Sequence, residues 1–493
     1  MPDVEKRYLA FDLGAESGRA VLGRVRSGVI TMDELHRFPN EAVEYAGSLR
    51  WDAPRLWLEL RTALSMLEGE RLNGIGVDAW GVDYALLGEN GQLLENPYHY
   101  RDRRTEGAMD AVFQKVSKEE IYRQTGIQFM PINTLYQLFA ARRDNPGLLR
   151  AAQTLLTIPD LFHFWLSGTA VCEFSNATTT QMLNPVTRAW CREMLEALDL
   201  PTSLLAPVVD AGTVIGRMSD AAAHGTSLTG TPVIAPASHD TGSAVAAVAA
   251  RHGTAFLSSG TWSLLGTELD SPRISADALR RNFTNEGGVC GTTRFLKNVM
   301  GLWMLQGCRR SWKSAGKTYE YGELMELAAS APAFERLIDP DDASFLHPAD
   351  MLMAIDAFCR RTEQPAPKST AAYARAVLEG LAFKYRVVIG DIELLTGIPI
   401  REIRVIGGGS RNRLLNQFTA DAAGRTVISG PVEATALGNL GVQMLATGAA
   451  GSLAEVRSLI ESSFPTEIFT PRETDQWEKH AQRFQQYCEA TYA

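Results

Sequence analysis

Two segments of this chain repeat one local pattern, and the repeat limits its possible folds more than any other feature. Each segment has a short apolar run, a turn of small and hydroxyl residues, and a second apolar run. The first is YLAFDLGAESGRAVLGRV, from Tyr8, and the second is TAFLSSGTWSLLGTEL, from Thr254. Both patterns predict strand, tight turn and strand. Because one such segment opens each half of the sequence, we expect two related halves.

The length of the chain agrees with two large domains. Domains usually contain about 50 to 250 residues, and this chain has 493. The boundary is expected near residues 240–253, where the small-residue segment SAVAAVAARHG separates the halves, and we divide the chain into 1–245 and 246–493. Two large domains commonly leave a cleft that binds ligands, and chemistry is expected there.

Local signals predict several further elements. Asp52 and Pro54 predict the start of a helix. The segment GIGVDAWGVDYALL predicts two interrupted strands, and Asn90-Gly91 predicts a tight turn that closes a hairpin onto QLLENPY. In the second half, helices are predicted over 370–395, LLNQFTADAAG and TALGNLGVQMLATG, and strands at EIRVIGGG and TVISG. This alternation indicates an α/β protein.

Composition and charge exclude several classes of function. The net charge is −9, and Lys and Arg form no long run, so a nucleic-acid partner is not expected. No apolar run approaches the roughly 18 to 20 residues that cross a bilayer, and the first residues lack a signal-peptide core. We therefore expect a cytoplasmic protein with no membrane partner. The six cysteines show no metal-binding spacing and are predicted to be reduced, although a regulatory disulfide stays open.

Three glycine-rich elements are candidates for nucleotide binding. In residues 12–19, Gly14 and Gly18 would let backbone amides approach a phosphate, Ser17 adds a hydroxyl, and Asp12 could hold magnesium directly or through water. The plain alternative is a β-hairpin. Residues 258–261 (SSGT) offer the same two interpretations. Residues 405–412 (VIGGGSRN) would let a flat ring lie against the backbone, or would be a flexible loop.

These elements belong to a larger set of motifs. DLGAESGR, SHDTGSAV, SSGTWS, and VIGGGSRN followed by GPVEATALGN together resemble the FGGY carbohydrate kinases, in the actin, hexokinase and Hsp70 superfamily. The resemblance covers essentially the whole chain. It implies two ribonuclease-H-like (actin-like ATPase) domains with a central interdomain cleft, ATP and Mg²⁺ as nucleotide and metal, sugar and phosphate binding in 1–245, and nucleotide binding in 246–493.

The resemblance also assigns roles to single residues. It implies that Asp240 is the general base that takes the proton from the sugar hydroxyl, whereas Asp240 taken alone would be predicted as a helix N-cap. In phosphoryl transfer a weak but well-placed base suffices. The implied substrate contacts are Gly81, His239, Asp240, Thr241 and Asn298, with Asp83, Arg101 and Asp102 near the sugar. The implied ATP contacts are Ala15, Glu16, Ser17, Gly18, Arg19, Thr261, Gln306, Gly408 and Gly409, with Asn412 as an extension, and the implied metal ligand is Asp12.

One residue departs from the family pattern. Glu16 stands where relatives usually carry a small or hydroxyl residue, and its carboxylate would repel a triphosphate unless it points outward or helps to position magnesium. The role of this side chain is therefore open.

Further motifs narrow the expected substrate. GVDAWGVDYALL, YRDRRT, GIQFMPINTLYQL, FSNATTTQML and FLKNVMGLWMLQ resemble those of family members that act on L-rhamnulose. The resemblance implies transfer of the ATP γ-phosphoryl group to its 1-hydroxyl, giving L-rhamnulose 1-phosphate and ADP in L-rhamnose catabolism. Another ketose, such as L-fuculose or xylulose, is the first alternative, and a nucleotide-driven switch like Hsp70 or actin is the second. The sequence leaves the oligomeric state undetermined.

Overall fold

The chain forms two compact units in a computed structural model that describes residues 5–248, 253–346 and 348–492. The first unit combines the described residues up to 248 with Glu268–Phe295 and Ala434–Phe464. The second combines 253–267, Leu296–Glu433 and the residues from 465 onward. The compact units are therefore discontinuous in sequence. The assignment of sugar binding to 1–245 and nucleotide binding to 246–493 stays a prediction, and residues 249–252 of the expected boundary segment lie outside the described residues.

The described strands and helices alternate through most of the chain. The strands are β1 (Lys6–Leu13), β2 (Ser17–Arg26), β3 (Val29–Pro39), β4 (Val43–Tyr45), β5 (Ser48–Arg50), β6 (Gly74–Ala79), β7 (Tyr84–Leu87), β8 (Thr154–Thr157), β9 (Cys172–Glu173), β10 (Leu183–Asn184), β11 (Ala189–Trp190), β12 (Val208–Val209), β13 (Val214–Arg217), β14 (Pro232–Ile234), β15 (Thr254–Ser259), β16 (Trp262–Leu269), β17 (Thr284–Gly287), β18 (Thr293–Met300), β19 (Glu402–Ile406), β20 (Thr426–Ser429) and β21 (Glu467–Phe469). The helices are α1 (Ala53–Ser65), α2 (Ala108–Phe113), α3 (Lys118–Thr125), α4 (Thr134–Asp144), α5 (Pro146–Ala151), α6 (Ile158–Ser167), α7 (Phe174–Thr179), α8 (Arg192–Ala197), α9 (Asp220–Ala223), α10 (Asp240–Ala246), α11 (Ala276–Arg280), α12 (Trp303–Ser314), α13 (Tyr321–Ser330), α14 (Met351–Arg361), α15 (Thr370–Thr396), α16 (Arg413–Ala423), α17 (Ala434–Ala446), α18 (Leu453–Ser463) and α19 (Thr474–Tyr492).

The main sheet of the first unit has the order β13-β14-β6-β1-β2-β3. Strands β1, β2 and β3 form an antiparallel meander, whereas β6 is parallel to β1 and β14 is parallel to β6. The apolar side chains of β1 and β6 are fully buried, because helices cover both faces of these central strands. Helix α17 comes so close to β6 that side chains at Gly74 and Gly76 would meet Gln443 and Asn439.

The second unit repeats this topology. Its sheet contains β18, β16, β15, β19, β20 and β21 in that order. Strands β15 and β16 are antiparallel, while β19 is parallel to β15 and β20 is parallel to β19. The run β18-β16-β15-β19-β20 thus matches β3-β2-β1-β6-β14. The two strand-turn-strand segments of the sequence occupy equivalent places, as their repetition predicts.

Most predicted elements are confirmed. Asp52 caps α1 by accepting a hydrogen bond from the Arg55 amide, 3.1 Å away. The predicted strands at 74–87 and the helices after 370 are present. The turn at Asn90-Gly91 closes a short hairpin, in which Gly88 donates to the Gln92 carbonyl at 2.9 Å and Leu94 to the Leu86 carbonyl at 3.0 Å. QLLENPY contributes two isolated bridges, Leu87 to Leu93 and Arg50 to Tyr98, and no regular strand. The segment leaves the hairpin at Asn96 and Pro97, whose carbonyls accept from Arg50 and Trp51.

Two negative findings concern the described part of the chain. None of its helices combines the length and apolar character that a bilayer-spanning helix needs. All six cysteines are free thiols and five of them are buried, so no disulfide links the described residues.

Candidate active site

Asp240 is the first residue of α10, and the residues before it are fixed to the central sheet. The carbonyl of Ser238 accepts a hydrogen bond of 2.9 Å from the Ala79 amide at the end of β6, and His239 forms a parallel bridge with Ala79. The N-cap of α10 is His239, in extended conformation. Asp240 therefore stands one position inside the helix, where the sequence taken alone predicted a cap.

The buried carboxylate of Glu173 fixes residues 238–239 through hydrogen bonds. Glu173 accepts hydrogen bonds from the Ser238 amide at 2.9 Å and from the Ser175 hydroxyl at 2.5 Å, and the Ser175 hydroxyl accepts from the His239 amide at 3.1 Å. Burial raises the pKa of Glu173 to about 7. The backbone that leads into Asp240 is thus fixed by side chains of α7 and of the residue before it.

Only one oxygen of the Asp240 carboxylate is engaged. Oδ1 accepts from the backbone amide and from the hydroxyl of Thr241, the latter at 3.1 Å, and lies 3.4 Å from Nε2 of His239. No donor from the described residues contacts Oδ2. The side chain is 29% exposed. Burial raises the pKa of Asp240, the charge of Asp12 adds to this, and His239 opposes it.

Two further carboxylates lie on the central strands. Asp12 of β1 and Asp78 of β6 are directly paired in the parallel register. Arg19 donates to Oδ2 of Asp12 from Nε at 2.9 Å and from Nη2 at 2.6 Å, while Asn439 donates to Asp78 at 2.6 Å. Burial, followed by the charge of Asp12, raises the pKa of Asp78 well above its usual value. Asp12, Asp78 and Asp240 form what we call the carboxylate cluster.

The first glycine-rich turn, residues 14–19, is tightly hydrogen-bonded. The Gly14 amide donates to the Ser17 carbonyl at 2.9 Å, and the side chain of Asn40 donates to the Gly14 carbonyl at 2.8 Å. Gly18 is buried in β2, where any side chain would overlap Phe38, so packing accounts for this glycine. Glu16 is exposed at this turn. Ala15 and Ser17 are half-buried at the same turn.

The region predicted to contact the sugar is built around buried indoles. Gly81 follows Trp80, and a side chain at Gly81 would meet Thr179. Asp83 accepts hydrogen bonds from Nε1 of Trp51 at 2.6 Å and of Trp80 at 3.0 Å, and burial raises its pKa to about 6. Asp83 is fully buried, and its carboxylate orients the indole of Trp80.

The neighbouring motif has a similar supporting function. Asp102 accepts from the Arg104 amide at 2.9 Å and from the Leu49 amide at 2.7 Å, so it caps the short turn Arg103–Thr105. Arg101 is half-buried beside it. These contacts give Asp102 a structural role in the described chain.

In the second unit, two loops meet at the carboxyl ends of parallel strands. Ser258 of β15 is paired with Ile406 of β19, so residues 258–261 and 407–411 emerge side by side. A side chain at Gly409 would overlap Ser259, whereas one at Gly408 would meet nothing. Gly407 has a positive φ of 79°, which favours glycine. The loop therefore offers open backbone at Gly408.

The other predicted nucleotide contacts of this unit lie at the same loops. Gln306 of α12 donates to the hydroxyl of Thr261 across 3.5 Å. Asn412 caps α16 by accepting from the Leu415 amide at 3.0 Å. Asn298, the predicted sugar contact of this unit, lies half-buried on β18. Thr261, Gln306, Gly408 and Gly409 are thus brought to one edge of the second sheet.

Four residues of the first unit were missed by sequence reasoning: Asp78, Glu173, Glu286 and Arg294. All four are buried. An acidic residue within an otherwise apolar strand, as in GIGVDA, is a signal that could have indicated Asp78. Glu286 and Arg294 carry no local signal, because only the fold brings them to His239.

The carboxylate cluster suits a hard cation only in part. Among the described residues, no group of three or more His, Cys, Asp or Glu side chains could hold a metal ion. Arg19 already neutralises one oxygen of Asp12. Mg²⁺ usually keeps several waters and binds substrate phosphates with one or two carboxylates, and Asp12 fits that limited role.

Comparison with known proteins defines the class of protein. Residues 7–247 match the N-terminal domain, and residues 255–447 the C-terminal domain, of the FGGY family of carbohydrate kinases. In the solved structures, a xylulose kinase from Lactobacillus acidophilus superposes with a TM-score of 0.82 at 19% identity, covering 99% of both chains. A glycerol kinase from Plasmodium falciparum with ADP gives 0.77 at 17% identity, over 99% of this chain and 98% of the other.

The chain belongs to the FGGY family of carbohydrate kinases, and it is therefore a phosphotransferase with the two-domain fold of that family. Among its curated relatives, a rhamnulokinase from Bacteroides thetaiotaomicron is 44% identical over 96% of this chain and 98% of the relative. Rhamnulokinases from Enterococcus faecalis (44% identical, 96% of each chain) and Bacillus subtilis (39%, 95% of this chain and 96% of the relative) are also similar.

Proposed function

We propose that this kinase transfers the γ-phosphoryl group of ATP to the 1-hydroxyl of L-rhamnulose, with Asp240 as the general base. The observation that carries the role of Asp240 is its geometry. It is the most exposed carboxylate of the carboxylate cluster, its Oδ1 is fixed, and its Oδ2 has no described donor. The choice of sugar is supported by the relatives named rhamnulokinase, which extend over nearly the whole chain.

The proposed reaction needs little covalent chemistry from the protein. The sugar oxygen forms a bond to the γ-phosphorus, the bond from that phosphorus to the β-γ bridging oxygen breaks, and the hydroxyl proton passes to Oδ2 of Asp240. The products are L-rhamnulose 1-phosphate and ADP. Because such transition states are loose, alignment and charge neutralisation supply most of the acceleration. A carboxylate with a raised pKa accepts the proton more readily than one with the usual pKa.

The nucleotide contacts are proposed for each unit by itself. In the first unit, backbone amides of Ala15 to Arg19 would face phosphate groups of the nucleotide. In the second unit, backbone amides of Gly408 and Gly409 would face the nucleotide, with Thr261 and Gln306 as polar contacts. Mg²⁺, when bound, would neutralise charge on the phosphates, and Asp12 would hold it directly or through water. The expected compartment is the cytoplasm, where thiols such as these six stay reduced.

Replacement of Asp240 by Asn tests the base. Asn keeps the size and the acceptor oxygen but cannot take a proton, so sugar-dependent ADP release should fall by at least about 100-fold, the usual scale of general-base catalysis. ATP binding, followed by nucleotide fluorescence, should stay within about twofold. Asp220→Asn is the matched control, because Asp220 is also the first residue of a helix in the first unit and is exposed. Near-normal turnover by Asp240→Asn would refute the assignment.

A panel of ketoses tests the substrate. L-rhamnulose, L-fuculose, L-xylulose and D-xylulose would be compared by coupled ADP detection. A site built to hydrogen-bond sugar hydroxyls rejects an epimer strongly. We expect the highest kcat/KM with L-rhamnulose. A higher kcat/KM with another ketose would identify that ketose as the preferred substrate. The assignment of the chain as a sugar kinase would not change.

A further inference from the structure

A line of charged side chains runs inward from the proposed base. His239 lies between two carboxylates: its Nε2 is 3.4 Å from Oδ1 of Asp240, and its Nδ1 is 3.1 Å from Oε2 of Glu286. Arg294 closes the line, with Nη1 3.2 Å from Oε2 of Glu286 and Nη2 3.2 Å from Nδ1 of His239. We call these four side chains the base quartet.

The inner half of the base quartet is rigidly built. Glu286 lies on β17, where the next amide, that of Gly287, donates to the Thr178 hydroxyl at 2.9 Å. Arg294 lies on β18 and is completely buried, and its Nε donates to the Gly287 carbonyl at 2.9 Å. The side chain of Glu286 is only 5% exposed. Neither side chain can move without breaking buried contacts.

Arg294 is the donor that meets the imidazole. A guanidinium can only donate, so its Nη2 donates to Nδ1 of His239 across 3.2 Å, and Nε2 is the ring nitrogen that faces Asp240. Buried charges are costly unless they are paired. The Glu286 carboxylate lies 3.2 Å from Nη1 of Arg294 and supplies the opposite charge beside it.

We propose that Glu286 is a positioning residue for the general base: it pairs with Arg294, which donates to Nδ1 of His239, and so keeps Nε2 directed to Oδ1 of Asp240 and leaves Oδ2 for the sugar hydroxyl. The inference rests on the proposed role of Asp240. Glu286 touches neither sugar nor nucleotide in this scheme, and it acts only through His239. Nδ1 of a histidine commonly serves as such an orienting point, because the partner of one ring nitrogen fixes the state of the other.

The first test is Glu286→Gln, which keeps the size of the side chain but removes its charge. We expect kcat to fall by about tenfold to 100-fold with little change in KM for ATP, because only the base is misplaced. The acid limb of the kcat/KM profile should also move to higher pH, since Asp240 would lose its contact with His239, which lowers the pKa of Asp240. A merely structural residue would not shift this limb.

The matched control is Glu379→Gln. Glu379 is a buried glutamate that pairs with Arg375 at 2.7 Å in the second unit, away from the quartet. The Glu379→Gln substitution should lower the melting temperature about as much as Glu286→Gln does. It should leave kcat and the pH profile unchanged. Equal losses of kcat in both variants would overturn the inference.

A double-mutant cycle separates action through His239 from a general effect. In the His239→Gln background, Glu286→Gln should reduce kcat by less than about twofold, because its target is gone. An undiminished loss in that background would contradict the proposal. If Glu286→Gln does not fold, the paired variant Glu286→Gln, Arg294→Met removes both buried charges and should show the same loss of kcat.

The two proposals fail in different ways. If Asp240→Asn turns over normally, the base itself is wrongly assigned. If Asp240→Asn is inactive while Glu286→Gln has normal kcat and a normal pH profile, Asp240 stands as the base and only the positioning role of Glu286 is refuted.

Discussion

Four acidic side chains of the first unit show how one residue type takes different roles. Asp78 is fully buried beside a second carboxylate, which favours its protonated form. Glu173 and Asp83 are buried among several donors, so each organises its surroundings. Oδ1 of Asp78 also lacks a described donor, but it is buried, whereas Asp240 combines such an oxygen with a side chain that is 29% exposed. These different environments, and not the residue type, single out Asp240 as the candidate base.

Asp83 gives a prediction about pH and stability. Its carboxyl has a pKa of about 6 in the folded chain, against a usual 3.8. A raised pKa means that the folded state holds the proton more tightly, so the stabilisation is complete below about pH 3.8 and is lost as pH rises through 6. The difference corresponds to about 3 kcal/mol.

Asp83→Asn should remove this pH dependence, since Asn does not titrate. Urea unfolding of the wild type and the variant at pH 4, 5, 6 and 7 gives the difference in unfolding free energy. The variant should be less stable than the wild type at pH 4, because its amide cannot reproduce all four donor contacts, and the gap should narrow towards pH 7. A constant gap across this range would show that Asp83 does not titrate there.

The site residues divide into those that sequence can indicate and those that it cannot. Asp240, Gly408 and Thr261 lie in contiguous motifs, so their positions could be predicted before the fold was known. Glu286 is 46 positions from Asp240, and its contact with His239 follows from the placement of β17 against α7. Long-range contacts of this kind leave no local pattern for sequence reasoning to detect.

At the scale of elements, α10 depends on close packing against α17. A side chain at Gly438 of α17 would overlap the carbonyl of Ser243 in α10. Two helices approach this closely only where one of them lacks a side chain. Since α10 begins at Asp240, the position of the proposed base depends on this glycine.

Gly438→Ala should therefore destabilise the protein by about 1 to 3 kcal/mol, the usual cost of overpacking, and should lower kcat as well. Gly390→Ala is the control: Gly390 lies in α15, is exposed, and has no atom within 4 Å of an added side chain. This second change should stabilise by about 0.5 to 1 kcal/mol. Urea unfolding measures both. Equal effects of the two substitutions would refute the packing argument.

Elements with strong local signals were predicted well. Asp52-Ala53-Pro54 begins α1 because the aspartate satisfies an open amide and the proline needs none. The hairpin around Asn90 forms but is short, since the end of its second arm is held by Arg50 and Trp51, which are far away in sequence. The periodicity of apolar residues indicates the local conformational preference of a segment. Whether a short strand forms depends on its contacts with the rest of the fold.

At the scale of the whole molecule, the repeated strand-turn-strand segment predicted the repeated topology of the two units. It could not predict that residues 268–295 and 434–464 join the first unit, because compact units follow contacts and not chain order. These two segments contribute side chains to the candidate site. Glu286 and Arg294 of the first of these segments lie against His239, and Asn439 of the second contacts Asp78.

The distribution of cysteines gives a prediction for the intact protein. Five thiols are buried, and Cys290 is exposed. Ellman's reagent at pH 8 should therefore label about one thiol of the native protein and all six in denaturant without reductant. Burial raises the pKa of Cys290, and the charge of Glu268 adds to this while Arg457 opposes it, so labelling should accelerate as pH rises and more thiolate forms.

Cys290→Ser is the control for that experiment, because it should abolish labelling of the native protein and leave five thiols in denaturant. A second thiol that reacts in the native state at the rate of Cys290 would show that one of the buried cysteines is accessible. Fewer than six thiols in denaturant would reveal a disulfide, and with it the regulatory pairing that the sequence had left open. Six reactive thiols instead support a protein that works in a reducing compartment, where ATP is its phosphoryl donor.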